Sequence, residues 1–249
     1  MFITKLKFPK SNNDLFVYFW KKFEAKKRNY HSVVIKNSAE AIWVELLAPD
    51  RKTDKLKADL TDTIAEAMAV CYKEQYLRQN LRLKPLDEFT LISLIRALTI
   101  FEKTDDILSI KAGLEITSVV DIQSYYNFRL IALKEKWHQL VDLLTQNMAG
   151  FLSSSAFIEL TRELVSITKA GTEQAVVTET ASEYLICDPS GKLLSAPINR
   201  TDKGSKERVV ADLISLAPSS VVLKLSREKS PEVVDGVEAI FTEKVVFCT

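Results

Sequence analysis

The fold is decided by residues 221–248, which read VVLKLSREKSPEVVDGVEAIFTEKVVFC. Apolar runs at 221–225 and 244–248 have the composition of strands. Between them, Ser230 and Pro231 suit the N-cap and first position of a helix. Because a whole helix separates the two strands, we expect them to pair in parallel, adjacent or nearly so, and to be buried. The helix residues expected to face inward are Val233, Val234, Val237, Ile240 and Phe241.

The residues before this stretch extend the same sheet. Runs at 174–179 and 184–188 alternate in the manner of strands, and a strong turn signal, DPSG at 188–191, follows the second run. Residues 196–204 are polar and are expected to be exposed, whereas 205–216 has the periodicity of a helix. The C-terminal part is therefore predicted to be a layered sheet with a parallel β-α-β-α-β portion.

The first 48 residues predict a small β-α-β-β unit, with strands at 2–8, 32–36 and 41–48 and a helix at 14–28. The periodicity then stays helical as far as Gly171. The fold class is predicted to be α/β (α+β overall). It comprises three regions: a small β-α-β-β unit at 1–50, a helical region at 51–171 and a C-terminal α/β region at 172–249.

The helical region divides at a few recognisable signals. A first helix is expected to run to Leu83, where Pro85 stops it, and a second is expected to begin after Asp87 as its N-cap. We expect a break at 104–106, where threonine is followed by two aspartates. A short helix at 155–169 closes the region.

A longer helix is expected between these, from Ser118 to about Gly150. Its Asp121 stands three residues after Ser118, which fits an acidic variant of the capping-box spacing. Phe128 is one of the apolar residues on its packing face. Arg129, beside it, is a charged residue in an apolar context, where an arginine is expected to pair with a carboxylate or an anion.

Charge is unevenly distributed along the chain. Residues 1–36 contain nine Lys or Arg against Asp14 and Glu24, a balance of +7, so the remaining residues carry −6 of the net +1. A solvated helix face is the simpler interpretation, and contact with an acidic partner, a membrane surface or nucleic acid is the alternative. We expect Phe19, Trp20 and Phe23 to be buried. The candidate binding residues on the exposed face are Lys21, Lys22, Lys26, Lys27 and Arg28.

The sequence shows no catalytic constellation. Its only histidines, His31 and His138, belong to no recognisable triad or metal motif. The strand-to-helix links at 195–205 and 226–230 hold one glycine and none, so no phosphate-binding loop is present. We therefore expect no catalytic residues, no metal and no cofactor.

The cysteines and the apolar runs indicate a compartment. Cys71, Cys187 and Cys248 are widely spaced and odd in number, which suggests reduced, buried residues of a cytoplasmic protein. The first ten residues have the pattern of neither a signal peptide nor a transit peptide. No apolar run is long enough for a membrane span, so we expect a chain that is not transmembrane.

Several short motifs then suggest a family. The segments YNFRL at 126–130, FIEL at 157–160 and DLISLAP at 212–218, with the closing strand, resemble the YtxC-like sporulation proteins of endospore-forming bacteria. The likeness covers about residues 120–248. It implies a cytoplasmic protein linked to sporulation.

Three functional hypotheses remain. The first is a non-catalytic interaction protein with protein partners, and so not an enzyme. The second is a small-ligand or nucleotide-sensing protein that uses the crevice at the carboxyl ends of the late parallel strands, near Ser226 and Arg227. The third is an adaptor for a membrane surface or nucleic acid that uses the basic N-terminal helix.

Overall fold

The structure is a computed structural model that describes residues 1–49, 51, 53–81, 83, 86–147 and 153–247. The chain forms two compact units. The first unit contains Met1–Asn80 and Glu102–Leu143, and the second contains Leu81–Phe101 and Leu144–Thr249. The predicted mixed α/β class is confirmed, because each unit combines a sheet with helices. The division into regions 1–50, 51–171 and 172–249 stays a prediction.

The strands are short and belong to two sheets. In chain order they are β1 (Phe2–Pro9), β2 (Ser32–Asn37), β3 (Ala41–Ala48), β4 (Val119–Asp121), β5 (Thr172–Glu179), β6 (Glu183–Cys187), β7 (Ile198–Asn199), β8 (Pro218–Lys224) and β9 (Val245–Phe247). The helices are α1 (Asn13–Phe23), α2 (Thr53–Asn80), α3 (Glu88–Ile100), α4 (Lys103–Lys111), α5 (Ile122–Arg129), α6 (Ile131–Asn147), α7 (Ser154–Ile167), α8 (Ser205–Leu216) and α9 (Pro231–Phe241).

The sheet of the first unit has the order β2-β3-β1-β4. Strand β3 pairs antiparallel with both β1 and β2, which confirms the N-terminal β-α-β-β arrangement. The fourth strand was not expected from the sequence. Strand β4 pairs in parallel with β1, with Leu6 opposite Val120, and it occupies residues that the periodicity assigned to a helix.

One face of this sheet and the helices α1 and α2 enclose the core of the first unit. The ring of Phe8 on β1 lies 4.8 Å from the ring of Phe19, and Phe19 lies 5.3 Å from Phe23. All three are fully buried, and burial of a phenyl ring stabilises the fold by about 1.5–3 kcal/mol. Asn12 fixes the start of α1 by accepting a hydrogen bond from the backbone N–H of Leu15 at 3.2 Å.

Helix boundaries in the first unit differ from the predicted ones. Helix α1 ends at Phe23 instead of residue 28, and Lys27–Asn29 form a separate 3₁₀ turn. Helix α2 ends at Asn80 instead of Leu83, and Pro85 lies outside the described residues.

The long helix expected from Ser118 is in fact β4 followed by two helices. Asp121 is the N-cap of α5, so its predicted capping-box role is wrong. Helices α5 and α6 are separated at Leu130, whose backbone has φ −99° and ψ 29°. The break expected at 104–106 lies slightly earlier, at Glu102, which adopts the left-handed conformation with φ 55°. The predicted end near Gly150 lies outside the described residues.

The sheet of the second unit has the order β7-β6-β5-β8-β9. Strands β5, β8 and β9 are parallel, with Val222 opposite Val246. The predicted parallel, adjacent pairing around α9 is therefore confirmed. Ile240 on α9 is buried, as expected from its place on the inward face of that helix. Asp87 caps α3 as predicted, because its Oδ1 accepts from the N–H of Thr90 at 2.9 Å.

One expectation about this sheet is wrong. Strand β9 is its edge, and Val246 and Phe247 are half exposed, since an edge strand has a neighbour on one side alone. Cys248 lies outside the described residues. Most of the polar segment 196–204 is exposed as expected, although it contains β7, which pairs with β6 and buries Ile198.

Candidate functional site

A groove of about 390 Å³ lies in the first unit beside strand β4. It is bounded by the residues that precede β4, by β4 itself and by the outward side of α5. Strand β4 is the edge of its sheet. We call this feature the β4 groove, and the lining residues that matter below are Glu115, Val119, Asp121, Tyr125, Phe128 and Arg129.

Local interactions fix the walls of the β4 groove. Val120 points into the core, whereas its neighbour Val119 is half exposed. Asp121 Oδ1 accepts from the N–H of Ser124 at 3.0 Å and so starts α5. Lys7 donates to Asp121 Oδ2 at 2.8 Å. Burial alone would raise the pKa of the Asp121 carboxyl, but these hydrogen bonds and the charge of Lys7 hold that pKa below its ordinary value of 3.8.

Helix α5 presents an aromatic residue and a cation at one end of the groove. Its last two residues are Phe128, which is 73% exposed, and Arg129, which is exposed. The sequence predicted that Phe128 lies on the packing face of a long helix. The helix instead stops at Leu130, which is buried, and Phe128 remains at the surface. Val119, which is half exposed, lines the same groove, and exposed apolar side chains that share a groove are typical of an interaction surface.

The side chain of Arg129 is exposed to solvent. Among the described residues, no carboxylate lies within ion-pairing distance of its guanidinium, so the intramolecular pairing expected from its apolar context does not form there. Tyr125 is anchored beside it by donating to the carbonyl of Ile110 at 2.9 Å. Burial raises the pKa of the Tyr125 phenol, and nearby Arg129 offsets part of that rise.

The five basic residues proposed on the first helix are elsewhere, and among the described residues none of them lines the β4 groove. Lys21, Lys27 and Arg28 are exposed, and Lys22, also exposed, lies 3.2 Å from a carboxylate oxygen of Glu66.

Lys26 is only part exposed, contrary to expectation, because its ammonium donates to the Thr63 hydroxyl at 3.0 Å. Phe19 and Phe23 are buried as expected, whereas Trp20 is half buried. The aromatic face of this helix is therefore mostly committed to the core of the first unit.

The crevice proposed near Ser226 contains a polar cluster in the second unit. Glu179, the last residue of β5, accepts hydrogen bonds from the Ser226 N–H at 3.0 Å and from the Ser230 hydroxyl at 2.7 Å. Arg200 lies 3.3 Å from the same carboxylate, and the Tyr184 hydroxyl donates to Ser230 at 3.0 Å. Thus a carboxylate of the chain itself occupies the position where open α/β sheets bind anions.

These contacts change how readily Glu179 ionises. Burial alone would raise the pKa of its carboxyl, but the hydrogen bonds from Ser230 and Ser226, together with Arg200, hold that pKa below its ordinary value of 4.5. The charged form is therefore the favoured one in the folded protein.

A buried ion pair in the first unit was not found from the sequence. Lys73 of α2 donates to Asp106 Oδ2 at 2.8 Å, and both side chains are almost completely buried. The indole N–H of Trp137 donates to the same oxygen at 3.2 Å. Burial lowers the pKa of Lys73, and Asp106 counteracts part of that effect. The sequence contains one indication of this ion pair, since Lys73 follows the apolar residues on the buried side of α2.

The remaining expectations concern the burial of the cysteines, metal binding and membrane-spanning helices. Cys71 and Cys187 are half-buried thiols instead of fully buried ones, and Cys248 lies outside the described residues. In the described part of the chain, no cluster of three or more His, Cys, Asp or Glu side chains is arranged to hold a metal ion. Nor does any helix there have the length and apolarity needed to cross a membrane.

The fold and the β4 groove define a class of protein: a mixed α/β chain of two units, one of which presents an aromatic and a basic residue beside a strand edge. Within that class the chain belongs to the YtxC-like family, whose model matches residues 94–246. The match covers more than half of the chain and confirms the family inferred from its motifs. A search of the curated proteins and a search of the solved structures each found no match.

Proposed function

We propose that this protein is a non-catalytic, sporulation-associated interaction protein of the cytoplasm, and that it holds a protein partner in the β4 groove. Membership of the YtxC-like family supports the link to sporulation. The observation that carries the groove assignment is Phe128, which is 73% exposed next to Arg129 and a strand edge. Half-buried thiols such as Cys71 suit a reducing compartment.

The groove has the parts needed to hold an extended segment of another protein. Strand β4 is the outermost strand of its sheet, and an edge of this kind can pair with an added strand, although the Val119 carbonyl already accepts from the Thr117 hydroxyl at 2.8 Å. Val119 and Phe128 supply apolar surface on either side. Arg129 supplies a guanidinium that can bind a carboxylate with two hydrogen bonds. The partner segment is therefore extended and carries an apolar side chain near an acidic one.

Other polar groups of the chain are engaged internally. The Glu179 carboxylate is held by Ser226, Ser230 and Arg200, and Asp106 is held by Lys73. Groups satisfied in this way stabilise structure, and this supports a role in binding over a role in catalysis.

Photo-crosslinking tests the proposed surface directly. A photoreactive phenylalanine analogue replaces Phe128 in the full chain, and the matched control places it at Leu108, which is 57% exposed on α4. In sporulating cells we expect a protein adduct of defined mass from position 128 and none from position 108. Identical adducts from both positions, or none from position 128, would contradict the groove assignment.

Binding measurements with the identified partner test the chemistry. Phe128→Ala and Arg129→Gln remove exposed groups, so both variants are expected to fold normally. Loss of an aromatic anchor at an interface typically weakens binding by 2 kcal/mol or more, about 30-fold. Arg51→Gln, an exposed arginine that does not line the groove, is the matched control and is expected to bind as the unchanged protein does. Unchanged spore yield in a strain with Phe128→Ala would argue against the sporulation role.

A further inference from the structure

The sheet of the first unit has a second face that its core does not use. Side chains alternate along each strand, so residues between the buried ones point to the opposite side. On β1 these include Lys5 and Lys7, and on β3 they include Trp43 and Glu45. All four are part exposed. We call this the open face of the first sheet.

The pairing register places a lysine on each side of Trp43. Lys36 of β2 and Lys7 of β1 are both directly opposite Trp43, one on each neighbouring strand. Their side chains are 60% and 39% exposed, and the Lys7 ammonium lies 5.8 Å from the centroid of the Trp43 ring. The row Lys36–Trp43–Lys7 therefore combines one aromatic ring with two accessible cations, side by side across three strands.

Two carboxylates hold the lysines of this face in place. Glu45 lies 3.1 Å from Lys5 and 2.9 Å from Lys36, and Asp121 lies 2.8 Å from Lys7. Three cations face two anions, which leaves a balance of +1 on the face. Residues 1–36, which include all three lysines, carry a balance of +7. The face therefore favours an anionic ligand. Its affinity is expected to be moderate, because the two carboxylates compete with the ligand for the lysines.

From this arrangement we propose that the open face of the first sheet binds single-stranded nucleic acid, with one base stacked on Trp43 and neighbouring phosphates bound by Lys7 and Lys36. An aromatic ring exposed on a sheet stacks an unpaired base irrespective of its identity. A duplex keeps its bases stacked on each other and offers no free face to Trp43. The inference does not depend on the proposed function, because the row is formed by β1, β2 and β3 and not by the groove.

Fluorescence anisotropy with the full chain tests the inference. The probe is a fluorescein-labelled single strand of about eight nucleotides, as RNA and as DNA, with a duplex of the same sequence for comparison. We expect the single strand to bind more tightly than the duplex. The slope of log K against log salt between about 50 and 200 mM is expected near −1.4, because two contacted phosphates each contribute about −0.7 for a single strand.

Four variants separate stacking from charge. Trp43→Ala is expected to weaken binding about 5- to 150-fold, and Trp43→Phe, which keeps a ring and the fold, is expected to weaken it less. Lys36→Gln should reduce the salt slope by about 0.7. Lys169→Gln, an exposed lysine of the second unit, is the control and should leave affinity and slope unchanged.

Defined results would overturn the inference. One is absence of binding at about 100 μM protein, the weak end of non-specific affinity. Another is equal affinity for the duplex and the single strand together with unchanged affinity in both Trp43→Ala and Lys36→Gln, which would indicate adsorption of any polyanion. Self-association that removes the Trp43 face at the same concentration would identify a second copy of the chain as the occupant instead.

Discussion

Replacing Lys73 with methionine is expected to destabilise the first unit strongly. The change keeps an unbranched apolar side chain one atom shorter but removes the ammonium that donates to Asp106 at 2.8 Å. Asp106 is fully buried, so water cannot take over that contact. In the described part of the chain, the contacts that remain for the carboxylate are the Trp137 indole at 3.2 Å and the half-exposed Lys136 ammonium at 3.5 Å.

The magnitude follows from the burial of both charges. Removing one member of a buried ion pair leaves the other charge without compensation and costs about 3–5 kcal/mol. An exposed pair such as Lys27 with Glu24 contributes about 1 kcal/mol or less, because water solvates both partners. Lys27→Met is therefore the matched control, with the same chemical change at an exposed pair in the same unit.

Tryptophan fluorescence during urea unfolding measures the effect in the relevant unit. The three tryptophans, Trp20, Trp43 and Trp137, all belong to the first unit, so their signal reports its unfolding alone. We expect a lower midpoint with Lys73→Met and an unchanged m-value, since the surface exposed on unfolding stays the same. Lys27→Met should leave the midpoint nearly unchanged.

The double variant Lys73→Met with Asp106→Leu completes the cycle. If the destabilisation comes from an uncompensated charge, removing both charges recovers most of it, because an apolar pair of similar volume is often as stable as a buried ion pair. A single-variant loss below about 1 kcal/mol would refute the reasoning. So would a double variant whose loss equals the sum of the single losses, since the two residues would then act independently.

Three further outcomes are expected. Ile240→Ala should cost about 2–5 kcal/mol in urea unfolding followed by circular dichroism, because Ile240 is buried on α9 and its removal leaves a cavity; no measurable loss would contradict that packing. The pKa of the Glu179 carboxyl is lowered in the folded protein, so its ionised form contributes stability above its ordinary pKa of 4.5, and this contribution is lost as pH falls through the folded pKa. The difference in unfolding free energy between the unchanged protein and Glu179→Gln should therefore shrink on acidification. A difference that stays constant with pH would contradict this prediction. Cys71→Ala and Cys187→Ala should alter stability alone, and stoichiometric zinc in elemental analysis of the unchanged protein would overturn a purely structural role.

Local signals were sufficient wherever an element is long and capped. The crossover through α9 followed from Pro231 and the length between the two strands, although the Ser230 hydroxyl donates to Glu179 and does not cap the helix, and the β-α-β-β start followed from alternation. Strand β4 was missed because three residues are too few to show a period, and because its partner β1 lies more than a hundred residues earlier in the sequence.

One residue that lines the candidate site, Arg129, stands out in the sequence, and its binding role stays a prediction. Arg129 was chosen because a charge between two apolar residues requires a partner, and the structure places it in the β4 groove. Its neighbour Phe128 was assigned to the core, because no glycine or proline marks the break at Leu130 and a continuous helix was the simplest continuation. Which face of the first sheet stays open was likewise not encoded locally, since alternation places Trp43 on one side without revealing what covers it.

The extent of the family match separates the two proposed surfaces. The YtxC-like model begins at residue 94 and ends at residue 246, so it contains β4, α5 and both Phe128 and Arg129. The row formed by Lys36, Trp43 and Lys7 lies before it. Partner binding in the β4 groove is therefore a hypothesis about the segment that matches the family. Nucleic-acid binding on the open face is a hypothesis about this chain. Loss of partner binding in Phe128→Ala with nucleic-acid binding intact, and the reverse in Trp43→Ala, would show that the first unit carries two independent surfaces.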